Sequence, residues 1–176
     1  MKRSKQVVVV VVVIVTMLGA GCWGNVGTYV ERRFTDDHVN YTTGDPGDQW
    51  TRVVLESTNV AWHNPALAAG ILVNSHCEGV KDAPLEGLTG ELMMGSTERE
   101  VLSQTLKPFA GREALETIAL AKIDGVPRQR ALFVLKKDGC VYDVVYDAPP
   151  QRFEAGLAAY RRVRDGIEIG PRRDRG

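Results

Sequence analysis

VPRQRALFVLKKDGCVYDVVYDAPP, residues 126–150, decides the fold of this chain. It reads as two strands around a tight turn. In Val126–Lys136, Leu132 and Val134 fall on one face and Phe133 and Leu135 on the other. In Cys140–Ala148, Tyr142, Val144 and Tyr146 alternate against Val141, Asp143 and Val145. Successive strand residues point to opposite faces, so this period of two is the mark of a strand. Lys137-Asp138-Gly139 holds an Asp-Gly pair, a strong hairpin signal. Ala148-Pro149-Pro150 ends the pairing, because proline supplies no ladder donor. Just upstream, Arg112–Ile123 reads as another strand, joined to Val126 by a second Asp-Gly pair, Asp124-Gly125. Glu100–Lys107 is a candidate fourth strand, and the whole is an antiparallel meander.

Two helices flank it. Downstream, Gln151–Asp165 places Phe153, Leu157, Tyr160 and Val163 on one stripe at helical spacing, with Gly166 as the stop. That stripe is expected to lie across the sheet, because neither surface is stable exposed. Upstream, Asp82-Ala83-Pro84 opens a helix in which Leu85, Leu88, Leu92 and Met93 share a face and Gly95 ends it. Ala69–Cys77 and Thr51–Glu56 read as further strands. The fold class is therefore α+β: an antiparallel sheet packed with two helices, spanning residues 49–169. Residues 22–48 read as tether and lead-in, since Gly24, Gly27, Gly44, Pro46 and Gly47 interrupt any period. Residues 170–176 read as a disordered basic tail.

The first 21 residues read as an address. Lys2, Arg3 and Lys5 form a basic start, Val7–Val15 an apolar run, and Gly19-Ala20-Gly21 a small-residue site. The run is short of the ~20 residues that span a bilayer. Cys22 after these small residues resembles the lipobox of bacterial lipoproteins, although Gly19 stands where that family prefers Leu. The resemblance implies cleavage before Cys22 and lipidation of its thiol. The alternatives are a plain cleaved signal and an uncleaved anchor. Trp23, rather than Asp, follows the Cys, which resembles lipoproteins sorted to the outer membrane. Gly19-Ala20-Gly21-Cys22-Trp23-Gly24 also spells G-x-G-x-x-G, but no helical period follows it, as a dinucleotide site requires.

Composition narrows the function. The 176 residues carry 22 basic and 22 acidic side chains. Loss of residues 1–21 removes three basic residues and leaves a net charge of −3. That gives no electrostatic footprint for nucleic acid. Beyond Cys22, the chain holds Cys77 and Cys140. In a secreted chain an even pair suggests a disulfide, here closing a loop of about 64 residues, worth roughly 4 kcal/mol in the chain-entropy model. Two buried thiols and a catalytic cysteine are the alternatives. His76 is a poor base for Cys77, because strand neighbours point to opposite faces.

The remaining candidates are sparse. His38, His63 and His76 show no helical pairing, and there is no C-x-x-C, G-x-S-x-G or Walker pattern. No metal and no cofactor are expected, and no catalytic residue is assigned. Asp36-Asp37-His38 reads as a solvated turn. Trp62-His63-Asn64-Pro65 reads as a loop, and Trp62 and His63 are the binding candidates, set against a Trp that merely plugs the sheet. Arg152, Arg161, Arg162 and Arg164 are read as a solvated helix face, with lipid head groups or a partner as alternatives.

The stretch Arg112–Gly166, a meander, a Pro-Pro break and a closing helix with an early Phe, resembles the end of PsbP-like α/β sandwich domains. That group includes extrinsic photosystem proteins and many bacterial lipoproteins. Val134–Asp143 and Pro149-Pro150-Gln151-Arg152-Phe153 also resemble uncharacterised lipoproteins of delta-proteobacteria. The motifs are structural, so the resemblance implies a fold and a scaffold or partner-binding role, not a reaction. The expectation is a non-catalytic accessory or partner-binding module of an envelope complex. It would be held by its lipid to a bacterial membrane, the outer one facing the periplasm. The rivals are a periplasmic carrier of a small molecule or lipid, which needs an apolar cavity between sheet and helix, and an enzyme using the His63 loop.

Overall fold

The computed structural model describes residues 27–79 and 83–171. In chain order the elements are β1 (Thr28–Val30), β2 (Arg33–Thr35), β3 (Asn40–Thr42), β4 (Thr51–Val53), β5 (Val60–Asn64) and β6 (Ala69–His76). Then come α1 (Leu85–Leu92), β7 (Ser96–Phe109), β8 (Arg112–Ile123), β9 (Val126–Lys137), β10 (Cys140–Ala148), α2 (Phe153–Asp165) and β11 (Glu168–Ile169). A 3-10 turn, Pro150–Arg152, leads into α2. Seven strands form one antiparallel sheet in the order β4-β5-β6-β10-β9-β8-β7, and β1, β2, β3 and β11 form a second, small one. The class is α+β, as the alternation implies.

The meander forms where its turns allow. Asp124 and Gly125, and Asp138 and Gly139, all have positive φ, the left-handed pair that a two-residue hairpin needs to match strand twist. A third such pair, Ala110-Gly111, closes β7 onto β8. An alanine there carries no turn signal, so β7 extends beyond the Glu100–Lys107 expected of it.

The central strands are buried on both faces. Phe133, Leu135, Tyr142, Val144 and Tyr146 join one core with Phe153, Leu157, Tyr160 and Val163 of α2. Leu132, Val134, Val141 and Val145 face the other way, toward Leu88, Leu92 and Met93 in and after α1. Tyr146, Phe153 and Tyr160 cluster, with the Phe153 and Tyr160 ring centroids 5.1 and 6.0 Å from that of Tyr146. Burying a Phe-sized side chain is worth about 1.5–3 kcal/mol, so Phe153 at 1% exposure anchors α2 to the sheet.

Three expectations need correction. Residues 28–48 are no tether: they supply β1–β3, and Phe34, Val39 and Tyr41 enter the α2-side core. Strands of three residues are too short to display a period. Trp62-His63-Asn64 is no loop either, but lies within β5. Gly170 and Pro171 are not part of a free tail, because Asn40 holds them through bonds of 2.9 and 3.0 Å. Smaller shifts occur at two ends. The first strand of the large sheet stops at Val53, and Pro84 itself takes the cap of α1. Asp82 and Arg172–Gly176 lie outside the described residues.

Candidate functional site

A concave feature that combines apolar walls with a buried carboxyl lies beneath α1, on the sheet face opposite α2. Val134 of β9 and Val141 of β10 form its floor, and Ala83, Leu88 and Leu92 its roof. The cleft holds about 240 Å³ and opens to solvent past His76, Glu78 and Glu91. Its apolar walls are dictated by the alternation of the meander and the stripe of α1.

Two cations of β9 hold the roof in place. Lys136 Nζ donates to the Ala83 carbonyl at 3.0 Å, just before the helix. Arg130 Nη1 donates to the Leu92 carbonyl at 2.7 Å, in its last turn. These carbonyls lie at or beyond the helix ends where intrahelical donors run out or have not begun. Arg130 and Arg128 also pair with Asp147. Each long side chain thus ties the short helix to the sheet at a fixed height above it.

Asp143 of β10 lies at the floor with 8% exposure. Its Oδ1 accepts a 3.4 Å bond from Asn74 Nδ2 of β6. Asn74 is oriented for that role, because its own Oδ1 accepts the Asn59 N–H at 3.0 Å. Asp143 makes no salt bridge among the described residues. Burial pushes its carboxyl from 3.8 up to about 6, against the opposing pull of the Asn74 bond and of His76. At neutral pH the group is still mostly charged, in a place where charge is disfavoured.

The sequence candidates fall elsewhere. Cys22 lies outside the described residues. Cys77 and Cys140 form a disulfide that staples the end of β6 to the start of β10. Trp62 and His63 are not brought together. Trp62 is buried in the α2-side core and meets the edge of Tyr29 at 5.9 Å, while His63 points out to solvent. Arg52 stacks over Tyr29 and Trp62, so this corner joins the small sheet to the large one. The core role of Trp62 is the one the structure supports.

The arginine face of α2 is only partly solvated. Arg164 is buried and pairs with Glu116 and Asp165, above the rings of Tyr160 and Phe133. Burial alone would lower its pKa, but the bond to Asp165 and the charge of Glu116 raise it. Arg162 donates to the carbonyls of Asp45 and Pro46, and Arg152 to that of Ala66. Arg161 remains exposed. Among the described residues there is no group of His, Cys, Asp and Glu that could hold a metal. No described helix is long and apolar enough to cross a membrane.

Sequence reasoning placed Asp143 on the right face with Val141 and Val145 but gave it no role. The available signal was that Asp143 and Asp147 are the two charges in an otherwise largely apolar strand. Asn74, Lys136 and Arg130 carried none.

No family model matches the chain, and no curated protein matches it. Solved structures do. The cyanobacterial PsbP protein, CyanoP, of Synechocystis sp. PCC 6803 aligns with a TM-score of 0.55 at 13% identity, covering 86% of this chain and 99% of that one. LpqN of Mycobacterium tuberculosis, described as involved in cell envelope biogenesis, aligns at 0.54 and 14%, covering 74% and 83%. The Ran-binding protein Mog1p of Saccharomyces cerevisiae aligns at 0.54 and 10%, covering 82% and 95%. The fold is PsbP-like. At these identities the likeness shows the fold alone.

Proposed function

We propose that this protein is a lipid-anchored module of the bacterial cell envelope that binds a protein partner and performs no chemistry of its own. The lipid sits on Cys22, and the domain faces the periplasm from the outer membrane. The lipobox-like start of the sequence supports the anchor, and the Cys77–Cys140 bridge supports an oxidising compartment. The likeness of Val134–Asp143 and Pro149–Phe153 to delta-proteobacterial lipoproteins agrees with the anchor. The observation that carries the binding role is the cleft beneath α1, with apolar walls around one recessed carboxyl. A pocket of about 240 Å³ falls below the ~300–1,000 Å³ of sites that enclose drug-sized ligands. It suits one long side chain better than a carried lipid.

Two measurements test this. Intact mass of the protein taken from membranes should match residues 22–176 plus a diacylglycerol and an acyl chain, and an unlipidated mass would overturn the anchor. A photo-crosslinking residue is then placed at Glu91 on the cleft rim, or at Arg161 on the far face, in living cells. Discrete protein adducts at 91 and none at 161 are expected. Equal labelling at both, or none at either, would overturn the binding role of the cleft.

A further inference from the structure

We infer that the cleft beneath α1 is a receptor for a single organic cation, a lysine or arginine side chain presented by the partner protein. This rests on the reading of the cleft as a binding surface and adds what it selects. In the floor lies the Asp143 carboxylate, 8% exposed and without a Lys or Arg partner among the described residues. The walls are aliphatic: Leu88, Leu92, Val134 and Val141. Long cationic side chains lay their methylene stems on apolar surface and keep the charge at the end. Here the charge would arrive where the carboxylate lies.

The charges around the cleft favour the same occupant. Glu78, after β6, and Glu91, on α1, stand exposed at the mouth and add negative potential. Among the described residues, His76 of β6 is the basic group that lines it. Lys136 of β9 is committed to the Ala83 carbonyl, and Arg130 to Leu92 and Asp147. A buried carboxylate gains most from a cation that shares its desolvated site, and a neutral guest of the same shape leaves it unpaired. Specificity for charge therefore follows from the floor, and tolerance of stem length from the walls.

The test uses the full lipidated chain in detergent micelles, followed through its leucine and valine methyl NMR signals. The probes are Nα-acetyl-lysine methylamide, Nα-acetyl-arginine methylamide and the neutral Nα-acetyl-norleucine methylamide. Saturable shifts at Leu88, Leu92, Val134 and Val141 are expected from the cations, at least tenfold weaker from norleucine. Asp143→Asn should weaken cation binding at least tenfold while the remaining spectrum stays native. Arg161→Gln, exposed on the far face, should leave it unchanged. Cation binding should also weaken about tenfold from pH 7.5 to pH 5, as the competent, ionised fraction of Asp143 falls.

Equal binding of norleucine, unchanged binding by the Asp143→Asn chain, or no saturable shift from either cation would overturn the inference. Residues 80–82 join two cleft residues in sequence and include Lys81. Cation binding seen only in a Lys81→Met chain would overturn it too, assigning the cleft to the chain's own lysine. Adducts at position 91 whose cross-linked segment holds neither Lys nor Arg would remove the cation and leave the partner-binding module standing.

Discussion

Asp143→Asn should make this protein more stable, and the gain should depend on pH. The carboxyl titrates at about 6 in the folded chain against 3.8 ordinarily. Each unit is worth 1.36 kcal/mol, so the shift corresponds to about 3 kcal/mol. The sign follows from proton binding. Between those two values the folded chain holds its proton more tightly than the unfolded chain does. Stability therefore falls as pH rises through this window, and the full penalty is in place above about pH 7. Asparagine keeps the shape and can still accept the Asn74 bond through its amide oxygen, but never ionises. The assay is urea unfolding of both chains from pH 4 to pH 8. The variant should equal the wild type near pH 4 and exceed it by up to about 3 kcal/mol at pH 7.5. A difference that does not vary with pH, or a variant weaker at pH 7.5, would refute the reasoning. A group whose removal strengthens the fold and weakens cation binding is one kept for binding, at a cost in stability.

Three further outcomes are expected. The Cys77→Ser/Cys140→Ser chain should lose about 2–4 kcal/mol in urea unfolding, and reductant should bring the wild type to the same midpoint. Glu116→Gln should cost about 3 kcal/mol, because it leaves the Arg164 guanidinium buried beside only Asp165, whereas Lys107→Met at the more exposed end should cost less than about 1. Burial raises the Glu116 pKa, but the bonds from Lys107 and Arg164 outweigh it and hold it below 4.5, so its contribution should be lost in wild-type melts as pH falls below that value. A Cβ on Gly44 would sit 1.9 Å from the Arg162 carbonyl oxygen of α2, whereas one on Gly90 of α1 meets nothing within 4 Å. Thermal melts should therefore show Gly44→Ala losing about 1–3 kcal/mol or more and Gly90→Ala gaining about 0.4–1.

What was legible in the sequence followed element length. β8, β9 and β10 run 12, 12 and 9 residues, long enough to show alternation, and two of the three meander turns use the Asp-Gly pair. Phe153, Leu157, Tyr160 and Val163 gave α2 its buried stripe. β1 to β3 were hidden because three residues carry no period; their burial comes from Phe34 and Tyr41 meeting each other and Tyr142, a tertiary event. Trp62 misled because its neighbour His63 is polar and Pro65 follows at once, which reads as a loop. Arg164 looked like its neighbours Arg161 and Arg162, and only the distant Glu116 distinguishes it. The candidate site was least legible of all. Asp143 has meaning only once α1 roofs it, and the position of that roof is set by Lys136 and Arg130 reaching across from another strand.

The two faces of the large sheet are built by different means, and this is why the site lies where it does. The α2 face is closed by interlocking rings, the small sheet and a helix whose Val163 carbonyl accepts the Gly44 N–H. The α1 face carries an eight-residue helix, below the ~12–15 residues that hold a helix together unaided. It depends on packing and on the two cations that grip its ends. Those cations account for the chemistry left over. Lys136 is spent on the Ala83 carbonyl, and Arg130 on the Leu92 carbonyl and Asp147, with Arg128 on Asp147 as well. Asp147 thereby becomes a structural carboxylate, while Asp143, four residues along the same face of β10, stays without a Lys or Arg partner among the described residues. Two carboxylates on one strand face thus divide into one that fixes the roof and one that the roof leaves open to a guest.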